Sequence, residues 1–195
     1  LDGEETRQRV QLVGQREGQA GQGGGRVIAG AARQILLADR LRSIGEHFSS
    51  GGNITLGGGA DPLTGSAFGV AGAVEGINLN ASTLNAAGGT ISLLGRGYAG
   101  TTSNYGILMQ AAAKAQTSGN GTVTMSGTSG AGTNTNDALY LTGAGTAISS
   151  VDGAISLTGT AQGSGSSNSG IVMGAAATVS ASGTGTVSLT GQAST

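Results

Sequence analysis

The sequence predicts an all-β fold: a parallel β-helix, or solenoid, right-handed, with about 32 residues per coil. Each coil is expected to hold three short strands and one long Gly/Ser/Thr loop. Three observations lead there. First, one phrase recurs, as Gly52-Asn53-Ile54-Thr55-Leu56, Gly89-Thr90-Ile91-Ser92-Leu93, Gly121-Thr122-Val123-Thr124-Met125, Gly153-Ala154-Ile155-Ser156-Leu157 and Gly185-Thr186-Val187-Ser188-Leu189. Its central β-branched residue advances by 37 positions, then by 32, 32 and 32. Second, apolar and small polar residues alternate at period two within the phrase, as in a strand with one buried face. Third, 40 of the 195 residues are Gly, yet a single Pro and the lack of a Gly-X-Y register exclude collagen.

Taken in chain order, residues 1–25 are rich in Gln, Gly and charge and are expected to be loosely ordered. Residues 26–50 form a charged entry coil or cap. Arg26-Val27-Ile28, Gln34-Ile35-Leu36-Leu37 and Leu41-Arg42-Ser43-Ile44 read as strands of a preceding coil, which is the preferred reading. The helical spacing of Leu37, Leu41, Ile44 and Phe48 keeps open an amphipathic helix over Ala31–Phe48. Residues 51–195 are the repeats, divided as 51–88, 89–120, 121–152, 153–184 and a partial 185–195.

Each repeat carries three apolar segments. Segment A is the recurring phrase. Segment B is Glu75-Gly76-Ile77-Asn78-Leu79, Tyr105-Gly106-Ile107-Leu108-Met109, Asp137-Ala138-Leu139-Tyr140-Leu141 and Ser169-Gly170-Ile171-Val172-Met173. Segment C is weaker: Ser82-Thr83-Leu84-Asn85, Thr146-Ala147-Ile148-Ser149 and Ala177-Thr178-Val179-Ser180. Stretches such as Ser126-Gly127-Thr128-Ser129-Gly130-Ala131-Gly132 lack apolar content and read as outward loops between A and B. The extra residues of the first repeat fall in that loop, around Gly58-Gly59-Ala60-Asp61-Pro62. In-register stacking would pile Ile54, Ile91, Val123, Ile155 and Val187 into one ladder and Leu56, Leu93, Met125, Leu157 and Leu189 into a second. Segment B falls midway between successive A segments, at Ile107, Leu139 and Ile171 against Ile91, Val123 and Ile155. A coil of half the length is therefore arithmetically open. The full-length coil is preferred because A leads into the polar loop and B into segment C.

Charge divides the chain. Residues 1–50 hold 13 of its 19 charged side chains and 51–195 hold six, for a net charge of −1. No basic footprint for nucleic acid is present, Cys is absent, and no apolar run approaches the roughly 20 residues of a membrane span. The chain begins without a basic or apolar leader and stops just after a repeat strand without a capping coil. It therefore reads as a segment of something longer, its signal peptide missing or removed.

The phrases Gly51-Gly52-Asn53-Ile54-Thr55-Leu56, Ser82-Thr83-Leu84-Asn85-Ala86-Ala87-Gly88-Gly89 and Gly89-Thr90-Ile91-Ser92-Leu93 resemble the repeats of filamentous-haemagglutinin-like exoproteins and related autotransporter passengers of Gram-negative bacteria. The resemblance covers roughly residues 26–195. It implies a secreted or surface-attached β-helical stalk, often adhesive, at the cell surface or outside it. The secretion domain of that family carries Asn-Pro motifs, whereas the only Pro here is Pro62, after Asp61.

Chemistry-bearing motifs are few. Gly95-Arg96-Gly97-Tyr98-Ala99-Gly100 fits G-x-G-x-x-G after a strand, but Thr101-Thr102-Ser103-Asn104 is not the helix that a dinucleotide site needs. Gly57-Gly58-Gly59-Ala60-Asp61-Pro62-Leu63 partly echoes a calcium-binding nonapeptide, without Asp in the neighbouring repeats, and reads as a turn. His47 is the only histidine and stands beside Glu46, without partners for catalysis or metal binding. Asp137 and Asp152 are widely spaced, so paired-carboxylate catalysis is not expected. The expectation is therefore no enzyme, no cofactor and no metal.

Two outward ranks are candidate surfaces. The hydroxyls of Thr55, Thr90, Ser92, Thr122, Thr124, Ser156, Thr186 and Ser188 line segment A, close to the Thr-x-Thr pattern of ice-binding solenoids, though β-branched polar residues also suit any solvated strand. Asn78, Leu108, Tyr140 and Val172 hold the middle of segment B, as an apolar contact stripe or a surface under the folded-back A–B loop, the latter preferred. The functional expectation is a structural or adhesive stalk whose partner is an unknown receptor, glycan or matrix, with lateral self-association open. The alternatives are an ice-binding solenoid and a carbohydrate-binding or carbohydrate-active β-helix.

Overall fold

The computed structural model describes residues 10–13, 27–29, 34–38, 41–42 and 46–194, with side chains described from Ser49 onward. Every regular element among them is a strand. The entry region holds β1 (Val10–Val13), β2 (Val27–Ala29), β3 (Gln34–Ala38), β4 (Leu41–Arg42) and β5 (Glu46–Ser49). The first repeat holds β6 (Ile54–Gly57), β7 (Ala67–Phe68), β8 (Ile77–Asn80) and β9 (Thr83–Asn85). The next two are β10 (Ile91–Arg96), β11 (Ile107–Gln110), β12 (Lys114–Gln116), and β13 (Val123–Thr128), β14 (Leu139–Leu141), β15 (Ala147–Ser150). β16 (Ile155–Thr160), β17 (Ile171–Met173), β18 (Thr178–Ala181) and β19 (Val187–Gln192) complete the described chain.

These strands stack into a β-solenoid with three faces. The A face runs β1-β3-β6-β10-β13-β16-β19, the B face β4-β8-β11-β14-β17, and the C face β2-β5-β9-β12-β15-β18. All of these neighbours are parallel except β1, which closes the A face antiparallel to β3. Ile91 pairs with Val123, Val123 with Ile155, and Ile155 with Val187, so one coil takes the whole period and A stacks on A rather than on B. The half-length coil is thereby excluded.

The same alternation that makes the strands builds the core. Two apolar side chains per coil point inward from A, two from B and one from C. Ile91, Leu93, Ile107, Met109 and Ala115 are the set for one coil, and all are buried. Fully burying one such Ile or Leu is worth roughly 1.5–3 kcal/mol. The C strand of the second repeat, β12, carries Ala115 where its neighbours carry Leu84 and Ile148. The lack of a large apolar residue there hides this strand from a reading of the sequence.

The first residue of the recurring phrase has a steric role. A Cβ on Gly153 would run into the carbonyl oxygen of Gly121, and one on Gly185 into that of Gly153. The coils touch backbone to backbone at this corner, where only Gly fits. One corner of the A–B loop instead uses non-glycine residues in the left-handed region: Ser103, Thr135 and Ser167, one period apart, have φ of 58°, 56° and 59°. Such a conformation costs about 1–2 kcal/mol per residue, so the coil must hold it by other contacts.

The entry region supplies a shorter coil. Ile35 pairs with Ile54, well short of a full period, while β4 and β5 join the B and C faces. Thus Gln34–Ala38, Leu41–Arg42 and Glu46–Ser49 provide three faces without a long A–B loop. Strands stand where helical spacing leaves a helix over Ala31–Phe48 open. Within residues 1–25 only Val10–Val13 are described, and they form a strand; the rest of that segment, with Arg26, Ser43 and Ile44, lies outside the described residues.

Candidate contact surface

The A face shows what the hydroxyl rank does. Thr90 and Thr122 bond to each other, Oγ1 to Oγ1 at 3.1 Å. Asn53 Oδ1 accepts from the Thr90 backbone N–H at 2.8 Å. Thr55 is only 4% exposed. Ser92 and Ser156 are half-buried, Thr124, Thr186 and Ser188 are exposed, and Ala154 interrupts the first row. The rank is therefore partly spent on coil-to-coil bonding, because hydroxyls one strand apart, about 4.8 Å between backbones, reach one another.

The B-face row is not an open apolar stripe. Asn78, Leu108, Tyr140 and Val172 do stack in one row, but Leu108 is only 5% exposed and the others are half-buried. The Tyr105 ring, at the end of the A–B segment, lies 5.1 Å from that of Tyr140, and Gln110 Nε2 donates to Asn78 Oδ1 at 3.3 Å. Neighbouring side chains occupy the surface around Leu108.

The A–B loops contain an element that sequence reasoning missed. Asn104, Asn136 and Asn168, one period apart, form a buried ladder. Asn104 donates its backbone N–H and its Nδ2 to Asn136 Oδ1, at 3.1 and 2.6 Å. Asn136 does the same to Asn168 Oδ1, at 2.9 and 3.0 Å. Asn168 Nδ2 ends on the carbonyls of Gly165 and Thr133. Each rung directly follows one of the left-handed residues, so the ladder holds the strained corner. At the other end Asn104 Oδ1 is buried without a partner. The signal was available as an Asn repeated at the coil period.

The acids are also engaged in stacking. Asp137 Oδ1 accepts from the Ser169 N–H at 2.9 Å. Asp152 Oδ1 accepts from the N–H and hydroxyl of Thr184 at 2.9 and 3.1 Å. Asp137 lies just before the B strand and Asp152 at the C-to-A corner, so the structure does not bring them together. Burial raises the Asp137 carboxyl above the usual carboxylate value. Burial likewise raises Tyr105, against a hydrogen bond from Ser103, with smaller contributions from Asp137, Tyr140 and Glu75. Among the described residues no group of three His, Cys, Asp or Glu could hold a metal ion. The side chain of His47, in β5, is outside the described ones.

The coil that breaks the period differs. On one side of the break Ile54 pairs with Ile91, and on the other Ala67 pairs with Gly95, so the strand register jumps between Gly57 and Ala67. Residues 58–66 therefore leave the A face between β6 and β7. Asp61 holds this excursion, its Oδ1 accepting from Leu63 N–H at 3.0 Å and its Oδ2 from the Thr64 hydroxyl at 2.9 Å. That makes the calcium-like stretch a turn. Where the strand resumes, Phe68 is 48% exposed beside Arg96, whose guanidinium lies 5.7 Å above the Phe68 ring. Arg96 also donates to Gln162 Oε1 at 3.3 Å, and no carboxylate pairs with it among the described residues. Tyr98 (38%) and Leu63 (46%) are exposed as well. The G-x-G-x-x-G match lies here, and no helix comes after it.

No protein-family model matches the chain, and neither does any curated protein or any solved structure.

Proposed function

We propose that this chain is a structural spacer with an adhesive contact, a stalk segment of a secreted or surface-attached bacterial exoprotein, without catalysis. The observation that carries the reading is the division of labour along the solenoid. Side chains that recur at the coil period fill the core, cross-bond the coils or line the corners, and no acid, base or metal ligand recurs with them. Apart from Met173, Val187 and Leu189 on the last described coil, the large exposed apolar side chains stand where the period breaks, at Leu63, Phe68 and Tyr98, with Arg96 against Phe68. The Phe68 ring against Arg96, which has no carboxylate partner among the described residues, suits a ligand with flat apolar faces and negative charge, such as an acidic glycan or a matrix protein. The resemblance of the Gly-Asn-Ile-Thr-Leu phrases to exoprotein repeats supports the cell-surface setting.

The test is binding of the immobilised chain to a panel of acidic and neutral glycans and matrix proteins, compared with Phe68→Ala/Arg96→Ala/Tyr98→Ala. Binding lost in the triple variant, with an unchanged melting temperature, supports the reading. No binding to any member, or binding indifferent to the substitutions, overturns the adhesive assignment. A second reading, ice binding, draws on Thr124, Ser156 and Ser188 standing in one row on a charge-poor face. Absence of thermal hysteresis and of ice recrystallisation inhibition would remove it.

A further inference from the structure

Nine residues of the chain are Asn, and three begin an Asn-Xaa-Ser/Thr triplet: Asn53-Ile54-Thr55, Asn80-Ala81-Ser82 and Asn120-Gly121-Thr122. That triplet is the acceptor pattern for N-linked sugar, which needs an accessible amide and a hydroxyl two residues on. The structure sorts the nine. Asn104, Asn136 and Asn168 are buried in their ladder. Asn78 and Asn85 are half-buried, and their Oδ1 atoms accept from Gln110 and from the Ala87 N–H. Asn53, Asn80, Asn120 and Asn134 are exposed. The three acceptor triplets thus fall on three of the four exposed Asn and on none of the buried ones.

The placement is also permissive. Asn53 and Asn120 lie at the corner where the C face turns into the A face, and Asn80 lies at the corner between the B and C faces. A substituent on a corner leaves the stacking direction clear. Among the described residues no hydrogen bond occupies Nδ2 of any of the three. Asn53 uses only its Oδ1, which survives modification of the nitrogen.

We infer that Asn53, Asn80 and Asn120 are N-linked carbohydrate acceptor sites, and that the fold dictates when each can be used. In the transfer, Nδ2 attacks the anomeric carbon of an activated sugar, a nucleotide- or lipid-linked phosphoester. A C–N bond forms, the C–O bond to phosphate breaks, and the phosphate leaves with the electron pair while an Nδ2 proton passes to a base of the transferase. The hydroxyls set the order. Thr55 is 4% exposed and Ser82 is 1% exposed, its Oγ without a hydrogen-bond partner. Thr122 is half-buried beside the 118–121 turn, and its Oγ1 meets only the Thr90 Oγ1, at 3.1 Å, so it is the one hydroxyl of the three that keeps a solvent-facing side. A transferase that must read the hydroxyl reaches only the Asn120 triplet once the coils have closed, so Asn53 and Asn80 are modified before folding or not at all.

The test compares two routes with peptide mass mapping. In one, the full chain is made in a host that glycosylates nascent chains during export. In the other, purified unmodified chain, already folded, is given the same transferase and sugar donor. Sugar is expected on Asn53, Asn80 and Asn120 by the first route and on Asn120 alone by the second, with strand circular dichroism retained in both. Bare Asn at all three positions in the first route overturns the sites. Equal modification of Asn53 or Asn80 after folding overturns the order. Ser82→Ala removes a hydroxyl that bonds nothing, so it should abolish sugar on Asn80 alone. It should leave the melting temperature within about 1 °C, since no hydrogen bond is broken and no apolar packing is lost. A concurrent loss at Asn53 or Asn120 would count against the inference.

Discussion

The coils at 89–184 and the coil at 51–88 are built from the same phrases but use their side chains differently. In the regular coils nearly every residue has a counterpart one period away, and the two meet: Ile on Val, Asn on Asn, Thr on Thr. In the first coil residues 58–66 leave the A face, and the strand returns carrying Phe68 outward against Arg96. Regularity commits side chains to the stack. A break in regularity leaves large side chains on the surface, where they can meet something else. Function is best sought where the period fails.

That contrast can be broken by experiment, most severely in the regular region. Ile155→Ala should destabilise by about 2–5 kcal/mol, because it empties a site packed between coils on both sides; urea denaturation would show it, and a loss below about 1 kcal/mol would mean that the ladder is not a close-packed core. Gly153→Ala should cost about 1–3 kcal/mol from overpacking against the Gly121 carbonyl, read from the same denaturation midpoint. Asn136→Ala should cost roughly 1–3 kcal/mol, since it leaves the buried donors of Asn104 without an acceptor; hydrogen exchange should quicken first at Asn104 and the residues around it.

The irregular coil should be far more tolerant. Deleting residues 58–66 joins Gly57 to Ala67, which stand opposite Leu94 and Gly95, so the A face would close in register. The expected change is within about 1 kcal/mol, because loop length enters closure entropy only logarithmically; unfolding of the shortened chain would show that the excursion supports the stack after all.

The smallest effect concerns pH. A raised folded pKa at Asp137 stabilises the fold below the unfolded value of 3.8, and this contribution is lost as pH rises through the folded pKa. Asp137→Asn keeps an oxygen for the Ser169 N–H and removes the titration. Its stability relative to the parent should therefore rise as pH increases across that window, measured by denaturant midpoints at matched salt.

Much of the fold was legible because strand signals are local. Alternation in Ile91-Ser92-Leu93 marks a strand, and its return at a fixed interval marks a stack. β12 is nearly silent because Ala115 is a weak apolar signal. Whether the B-face row is open or covered is not written in the sequence, because the burial of Leu108 is set by side chains around it in space, and no period-two rule sees a neighbouring row. The Asn ladder is hard to see in the sequence because Asn in a Gly/Ser/Thr loop has the composition of a turn, and its role depends on a partner one coil away.

By itself the sequence determined the strands, their period and the two core ladders, since these follow from alternation and spacing along the chain. The tertiary structure alone decided which outward ranks stay free, where residues 58–66 leave the sheet, and which Asn are buried. Each of those depends on side chains brought together from neighbouring coils, a distance in space that the linear order does not contain.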